Sequence, residues 1–394
     1  MLKMIFPSSR ESTKMKELMD SSNKNRKNYI DWLRIFTILF IFVAHCSRYF
    51  MEGGPIENDQ KDVILGGIRI FGGIWVIRLM FLLSGMSNFY SINPKNWKDN
   101  IKRRLLRLGV PFVVSLFIVI PFVPYFIKMY NGDFSGTIFE FYPTYFNGIY
   151  GYGGEFRLTG EHMWFVLYIL LFSLNSLPLF VFLKKSENIK YLNRIGQFLS
   201  KKRMFFVLLI LTVTIRYLSY LLIPQPTFDA LGGFQVPNSV FFYLLGFFFG
   251  SLQKKKKFFK KLFPYSFVIG IFTTFFVYLM YHTIIIEILY ILCLEIASLC
   301  WILIFLYLAQ KYVDFYHPSL KIFNKISLPF FILHFSTTLM VGGYILKLSL
   351  PVISKFLIIC GVAFLLTLAI IGIIWVIKPL RPLFGFPYPR EKKR

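Results

Sequence analysis

Charge is what this sequence has least of. Charged residues make up 16% of its 394 residues, and the Asp and Glu number only 19 against 45 Lys and Arg. Soluble domains carry about 25% charged residues, so a water-facing globule is a poor fit. Cysteine is nearly absent too. Cys46, Cys293, Cys300 and Cys360 each sit in an apolar run, and no pair has metal-ligand spacing. That argues against a thiolate metal centre, thiols buried in lipid are usually inert, and the cysteines say nothing about redox compartment. There is no internal repeat and no shift from apolar to polar composition that would mark a second globular domain. Hydrophobic residues, by contrast, reach 56% and aromatic ones 20%. The net charge of +26 would suggest nucleic acid in a soluble protein. Here the basic residues stand in short blocks between long apolar runs, which is a membrane-topology pattern, and no nucleic-acid partner is expected.

A spanning helix needs about 20 mainly apolar residues, and about ten segments qualify: 30–50, 68–91, 107–129, 162–183, 204–223, 237–252, 263–282, 284–309, 326–347 and 352–377. The sixth is short and aromatic. The first span has too long an apolar stretch for a cleaved signal peptide, and it ends at Cys46-Ser47-Arg48-Tyr49 without a small-x-small cleavage site. The expected fold is therefore all-α and polytopic. A basic tail over 1–28 and another over 378–394 flank a membrane domain at 29–377.

Placing the N-terminus inside puts most of the 45 Lys and Arg on the cytoplasmic side. The outer loops and their span ends keep Arg48, Lys61, Lys128, Arg157, Lys347 and Lys355, while Arg34, Arg69, Arg78 and Arg216 lie in the spans. The asymmetry alternates loop by loop, so both termini are expected in the cytoplasm and the protein in the plasma (inner) membrane as a multi-pass chain. The outer loops 51–67, 131–161 and 224–236 are rich in Gly, Pro, Tyr and acids. Their aromatic rings suit stacking on sugars and suit the membrane interface equally.

Ionisable residues inside spans are costly and are functional candidates by default. In the first span, Arg34 and His45 stand eleven residues apart, about three turns plus 20°, and so project from one face roughly 16 Å apart along the axis. A guanidinium suits an anionic donor, and a histidine further along the same wall suits proton transfer with a hydroxyl. Snorkelling of the Arg and a satisfied interhelical His are the plainer alternatives. Arg104 and Arg107 are three apart on the inner loop after span two, where a shared helix face would bind phosphates or simply fix topology. Glu161 beside His162 opens span four as a carboxylate–imidazole pair or as an interfacial cap before Trp164. Arg78, Arg216, Glu295 and His334 lie deep in their own spans, where bare charge is prohibitive. They are expected to pair with one another or to line a wet cavity.

Taken together these strings resemble the acyltransferase-3 family of integral membrane O-acyltransferases. Arg34, ten intervening residues and His45 match its first-span hallmark, following Tyr29-Ile30-Asp31-Trp32-Leu33. Arg104 and Arg107, followed by Pro111, match its R-x-x-R. Ser84-Gly85, His162-Met163-Trp164-Phe165 and Leu333-His334 match its S-G, H-x-W-F and L-H strings. The fourth-span string and the opening Asp31-Trp32-Leu33-Arg34 are similar to the branch containing periplasmic-glucan succinyltransferases. Some members carry Met-Pro before the aromatic run of span two, where this chain has Leu79-Met80.

The resemblance implies transfer of an acyl group, acetyl or succinyl, from cytoplasmic acyl-CoA to a hydroxyl of a glycan or other cell-surface acceptor. It implies catalytic roles for His45, with Arg34 and His162 assisting, and CoA-phosphate binding by Arg104, Arg107 and Arg34. Acyl-CoA is the only co-substrate expected and no metal is. Direct transfer and a covalent acyl-histidine both fit. The rival reading is a secondary transporter or glycan flippase that uses the same charges, although no broken-helix pair and no repeat is evident for one.

Overall fold

The computed structural model describes residues 27–201, 203–222, 236–252, 255–281 and 287–387. The tail 1–26, the stretch 223–235, His282 and residues 388–394 lie outside the described residues. Helices account for nearly all of the rest, as an apolar chain in lipid requires, because every backbone N–H and C=O must be satisfied within its own segment.

Helix α1 (Asn28–Ser47) runs into a short 3-10 turn, and α2 (Val63–Ser91) returns antiparallel to it. Then come α3 (Trp97–Arg104), a π-helical turn over Leu105–Gly109, α4 (Val110–Ile118) and α5 (Phe122–Asn131). Next are α6 (Ile138–Tyr145) on a loop, α7 (Trp164–Asn175), α8 (Leu177–Lys184) and α9 (Ile189–Leu199). The chain continues with α10 (Met204–Leu222), α11 (Val236–Ser251), α12 (Lys255–Tyr281), α13 (Glu287–Tyr312), α14 (Ser319–Leu346), α15 (Val352–Val376) and α16 (Leu380–Leu383).

Among the described residues, eight segments are long and apolar enough to span a membrane: α1, α2, the run Pro94–Asn131, α10, α12, α13, α14 and α15. The expected span 162–183 is a pair, α7 and α8, bent by 49°. Pro178 at the second position of α8 has no N–H to continue the helix across Ser176. Counted as one span, the pair makes nine. The expected sixth span, 237–252, is among the described residues the 16-residue α11, about 24 Å at 1.5 Å per residue, and is not counted with these nine.

Helix α11 is deeply buried. Phe242, Tyr243, Phe247, Phe249, Gly246 and Gly250 are all buried. It crosses α2 at a pair of glycines. A Cβ on Gly85 would stand 1.9 Å from the Tyr243 carbonyl oxygen, and one on Gly246 would stand 2.0 Å from that of Leu82. Small residues at such crossings let two backbones touch where no hydrophobic force drives helices together in lipid. The C-terminal carbonyls of α2 are capped from α8, where Lys184 Nζ donates to Phe89 O and Ile92 O at 2.6 Å each.

Two more contacts set the geometry of the site. The N-terminus of α1 is tied to the segment after α13, with Tyr29 N donating to Asp314 Oδ1 at 3.2 Å and Trp32 Nε1 to Phe315 O at 3.1 Å. At the other end of α1, the Tyr49 ring lies on Gly342 and the Tyr130 ring on Gly343, so α14 sits close beside α1. The chain after α15 folds back onto it, with Phe386 buried against Trp375 at 5.2 Å between ring centroids.

Candidate active site

Arg34 and His45 are held by one unbroken helix, α1, so the spacing argument for a common edge applies. That edge lies between α2 and α14. Arg34 Nη2 donates to Ser87 Oγ of α2 at 2.7 Å, and its Nη1 pairs with Asp31 at 3.0 Å. His45 meets α14, its ring centroid 5.3 Å from that of His334 and 4.5 Å from that of Phe335.

His162 completes a cluster. Its centroid is 5.4 Å from that of His334 and 5.3 Å from that of Phe335. Three imidazoles from α1, the turn before α7 and α14 thus converge on one place. Depth in its span groups His334 with Arg78, Arg216 and Glu295, but the packing places it here instead. His162 Nε2 donates to Ile332 O at 2.9 Å, and His334 Nδ1 donates to Phe331 O at 2.9 Å. Each of these rings is thereby held in one tautomer, with its other nitrogen a bare acceptor. Those nitrogens, His162 Nδ1 and His334 Nε2, are buried without a hydrogen-bond partner, as is His45 Nδ1. Buried polar atoms are rarely left so, and three around one point suit a ligand that brings O–H donors. His162 and His334 are buried, while His45 is half-buried and is the accessible one. Among the described residues no group of three His, Cys, Asp or Glu side chains is arranged to hold a metal.

Glu161 and His162 part company. Glu161 takes a left-handed backbone (φ 49°) directly after Gly160 (φ 77°), and its carboxylate pairs with Arg157 at 2.9 Å. The reversal drives His162 inward while its neighbour turns to the loop. A non-glycine residue at positive φ is uncommon, and such strain gathers at functional turns.

Arg104 and Arg107 do not share a face either. The π-turn Leu105–Gly109 widens the helix between them. Arg104 Nε donates to Asn100 Oδ1 at 2.9 Å, and its Nη2 donates to Asn88 Oδ1, whose amide in turn meets the Tyr243 hydroxyl. Arg107 is exposed instead and lies within charge–charge range of Arg34 and Asp31. Arg34 and Arg107 thus form a cationic pair at one end of the α1 edge, with the histidines at the other.

Arg78, Arg216 and Glu295 do pair, as their cost in lipid requires. Arg78 Nη2 contacts Glu295 Oε1, Arg216 Nε stands 3.7 Å from the same oxygen, and Asn238 Nδ2 donates to Oε2 at 2.9 Å.

Several partners escaped the sequence reading. Asp31 was legible as the residue three before Arg34. Ser87, Asn88 and Asn238 were visible only as polar residues inside apolar runs, with nothing to say which charge each would meet. Tyr243 gave no signal among its aromatic neighbours.

Residues 27–376 match the acyltransferase domain of the acyltransferase-3 family, which is nearly the whole of the described chain. No curated protein and no solved structure matches it significantly. With its multi-pass helices and the histidine cluster between them, this chain belongs to the acyltransferase-3 family and is a membrane-embedded acyltransferase.

Proposed function

We propose that the protein moves an acetyl or succinyl group from cytoplasmic acyl-CoA to a hydroxyl of a glycan or other acceptor outside the plasma (inner) membrane, with both termini in the cytoplasm. The observation that carries this reading is the α1 edge, with two cations at one end and three imidazoles at the other.

The exposed Arg107 and the half-buried Arg34 supply forked donors for the CoA phosphates, and Arg34 is steadied by Asp31 and Ser87. Arg104, already engaged with Asn88 and Asn100, shapes that mouth rather than closing on the donor. The acceptor hydroxyl arrives at the histidines, oriented by other O–H groups of the same acceptor, which donate to His162 Nδ1 and His334 Nε2. His45 removes its proton as the oxygen attacks the thioester carbonyl. The C–S bond breaks, the CoA sulfur takes the proton from the His45 imidazolium, and ester and free CoA leave. A covalent acyl-His45 is the two-step form of the same chemistry.

Acyl transfer from labelled acetyl- or succinyl-CoA by the purified protein tests the assignment. His45→Ala is expected to lower turnover by about 100-fold or more, the usual worth of a general base. Near-normal turnover in that variant overturns the role of His45.

A further inference from the structure

The contact between α1 and α15 is a regular antiparallel ladder. Phe42 meets Phe364 with ring centroids 5.9 Å apart, and Phe50, in the turn that follows α1, meets Phe356 at 6.5 Å. Each step of four residues up one chain matches four down the other, which is the spacing of one helical face. The rung between these two is Cys46 with Cys360, and their side chains lie within hydrogen-bonding reach of each other. Both thiols are free, Cys46 buried and Cys360 half-buried. Where helix axes pack about 8–10 Å apart and each Cα stands about 2.3 Å off its axis, facing Cα atoms come about 4–6 Å apart. That is a separation a disulfide bridges. The other two cysteines differ. Cys293 and Cys300 share α13, where seven residues put them roughly 10 Å apart along the axis, too far to bond to each other.

We propose that Cys46 and Cys360 form a reversible disulfide that staples α1 to α15 beside His45. The oxidant is hydrogen peroxide, small and uncharged, which enters an apolar contact where no thiol-exchange protein fits. The Cys360 sulfur, the more accessible one, attacks one peroxide oxygen. The O–O bond breaks, and the leaving oxygen takes the thiol proton and departs as water. The Cys46 sulfur then attacks the sulfur of the Cys360 sulfenic acid. The S–O bond breaks, the hydroxyl takes the Cys46 proton, and a second water leaves. The two sulfurs lose two electrons in all, and the peroxide gains them. Under the orientation proposed above the pair lies toward the outer side, where disulfides persist. Cys46 directly follows His45, so the bond fixes the backbone that carries the proposed base. That consequence, unlike the bond itself, rests on the acyl-transfer reading above.

The full chain in nanodiscs is treated with hydrogen peroxide, unfolded in detergent and labelled with a maleimide. Labelled thiols are expected to fall from four to two, and a digest to contain a peptide that joins Cys46 to Cys360. Dithiothreitol should restore all four, and Cys360→Ser should form no bond under the same treatment. Should that variant fail to fold, Cys46→Ser gives the same reading. The bond closes most of the chain into one loop, so the Tm of the oxidised protein should rise by several degrees. Four thiols still free after peroxide, or a link between any other pair, overturns the proposal. So does Cys360 carried on to the sulfinic acid with Cys46 untouched. Acyl transfer by the oxidised protein is expected to fall about tenfold, because a displaced base is costly, and to return with dithiothreitol. Cys360→Ser should keep its turnover in peroxide. Unchanged turnover in fully bonded protein overturns the control of His45. A bond that forms in protein with no transfer from any acyl-CoA, reduced or oxidised, would overturn the function above and leave the staple standing.

Discussion

An imidazole in a membrane is useful only when its two nitrogens are told apart. Main-chain carbonyls do this for His162 and His334, each of which spends one N–H on α14 and keeps one lone pair for the cleft. His334→Ala is expected to lower turnover at least tenfold while leaving acyl-CoA affinity within about twofold, since the Arg34 end of α1, proposed above to meet CoA, is untouched. Equilibrium binding of acyl-CoA beside single-turnover rates checks the split. Arg34 is held from two directions, by Asp31 and Ser87. Arg34→Lys keeps the charge but not the fork, and about a tenfold rise in the KM for acyl-CoA is expected from steady-state rates. Glu295 is the counter-charge for Arg78 and Arg216. Glu295→Gln strands both, and breaking a buried pair costs about 3–5 kcal/mol. A fall of several degrees in Tm should show in detergent, and Glu295→Asp should fall less.

At the scale of elements, α11 is the instructive case. It is packed into α2 at the Gly85–Gly246 crossing. The Ser84-Gly85 string that matches the family pattern is therefore, at Gly85, a packing device that lets two backbones touch. Gly85→Ala must push α2 and α11 apart, whereas a Cβ on Gly361 of α15 meets nothing within 4 Å. Gly85→Ala should lower both Tm and folded yield. Gly361→Ala should leave them unchanged or slightly raised, because alanine is worth about 0.8–1 kcal/mol over glycine in a helix. Fluorescence-detected size exclusion after heating distinguishes the two. On the loop helix α6, Thr137 and Glu140 form a capping box, with Thr137 N donating to Glu140 Oε2 at 2.6 Å. That backbone bond, with the Thr137 hydroxyl, holds the Glu140 carboxyl below its usual range. A depressed folded pKa stabilises at neutral pH and is lost as pH falls through it. Amide protection in α6 should thus decline in acid before that of the spanning helices.

For the whole molecule, the loop-by-loop charge asymmetry proposes which ends face the cytoplasm. Cysteines placed at Lys61 and Arg157 should label with an impermeant maleimide in intact cells, and cysteines at Lys95 and Lys185 only after lysis. The reverse pattern overturns the orientation. The all-α membrane fold was legible in the sequence because hydropathy sums over each segment against lipid, whatever its neighbours are. The bend at Ser176 was harder to read, since one proline barely changes that sum.

The candidate site was half legible. The residues themselves were visible, because an Arg, His or Glu in an apolar run stands out and a family pattern orders them. Their grouping was not. By depth alone His334 belonged with Arg78 and Glu295, and by spacing alone Arg104 belonged with Arg107. Helix packing sent His334 to His45 and His162 instead, and a π-turn separated the two arginines. The sequence by itself determined that this chain is a bundle of apolar helices carrying costly polar residues. Only the tertiary structure decided which of those residues meet, because contacts between side chains hundreds of positions apart depend on how whole helices cross, and that lies beyond any local pattern.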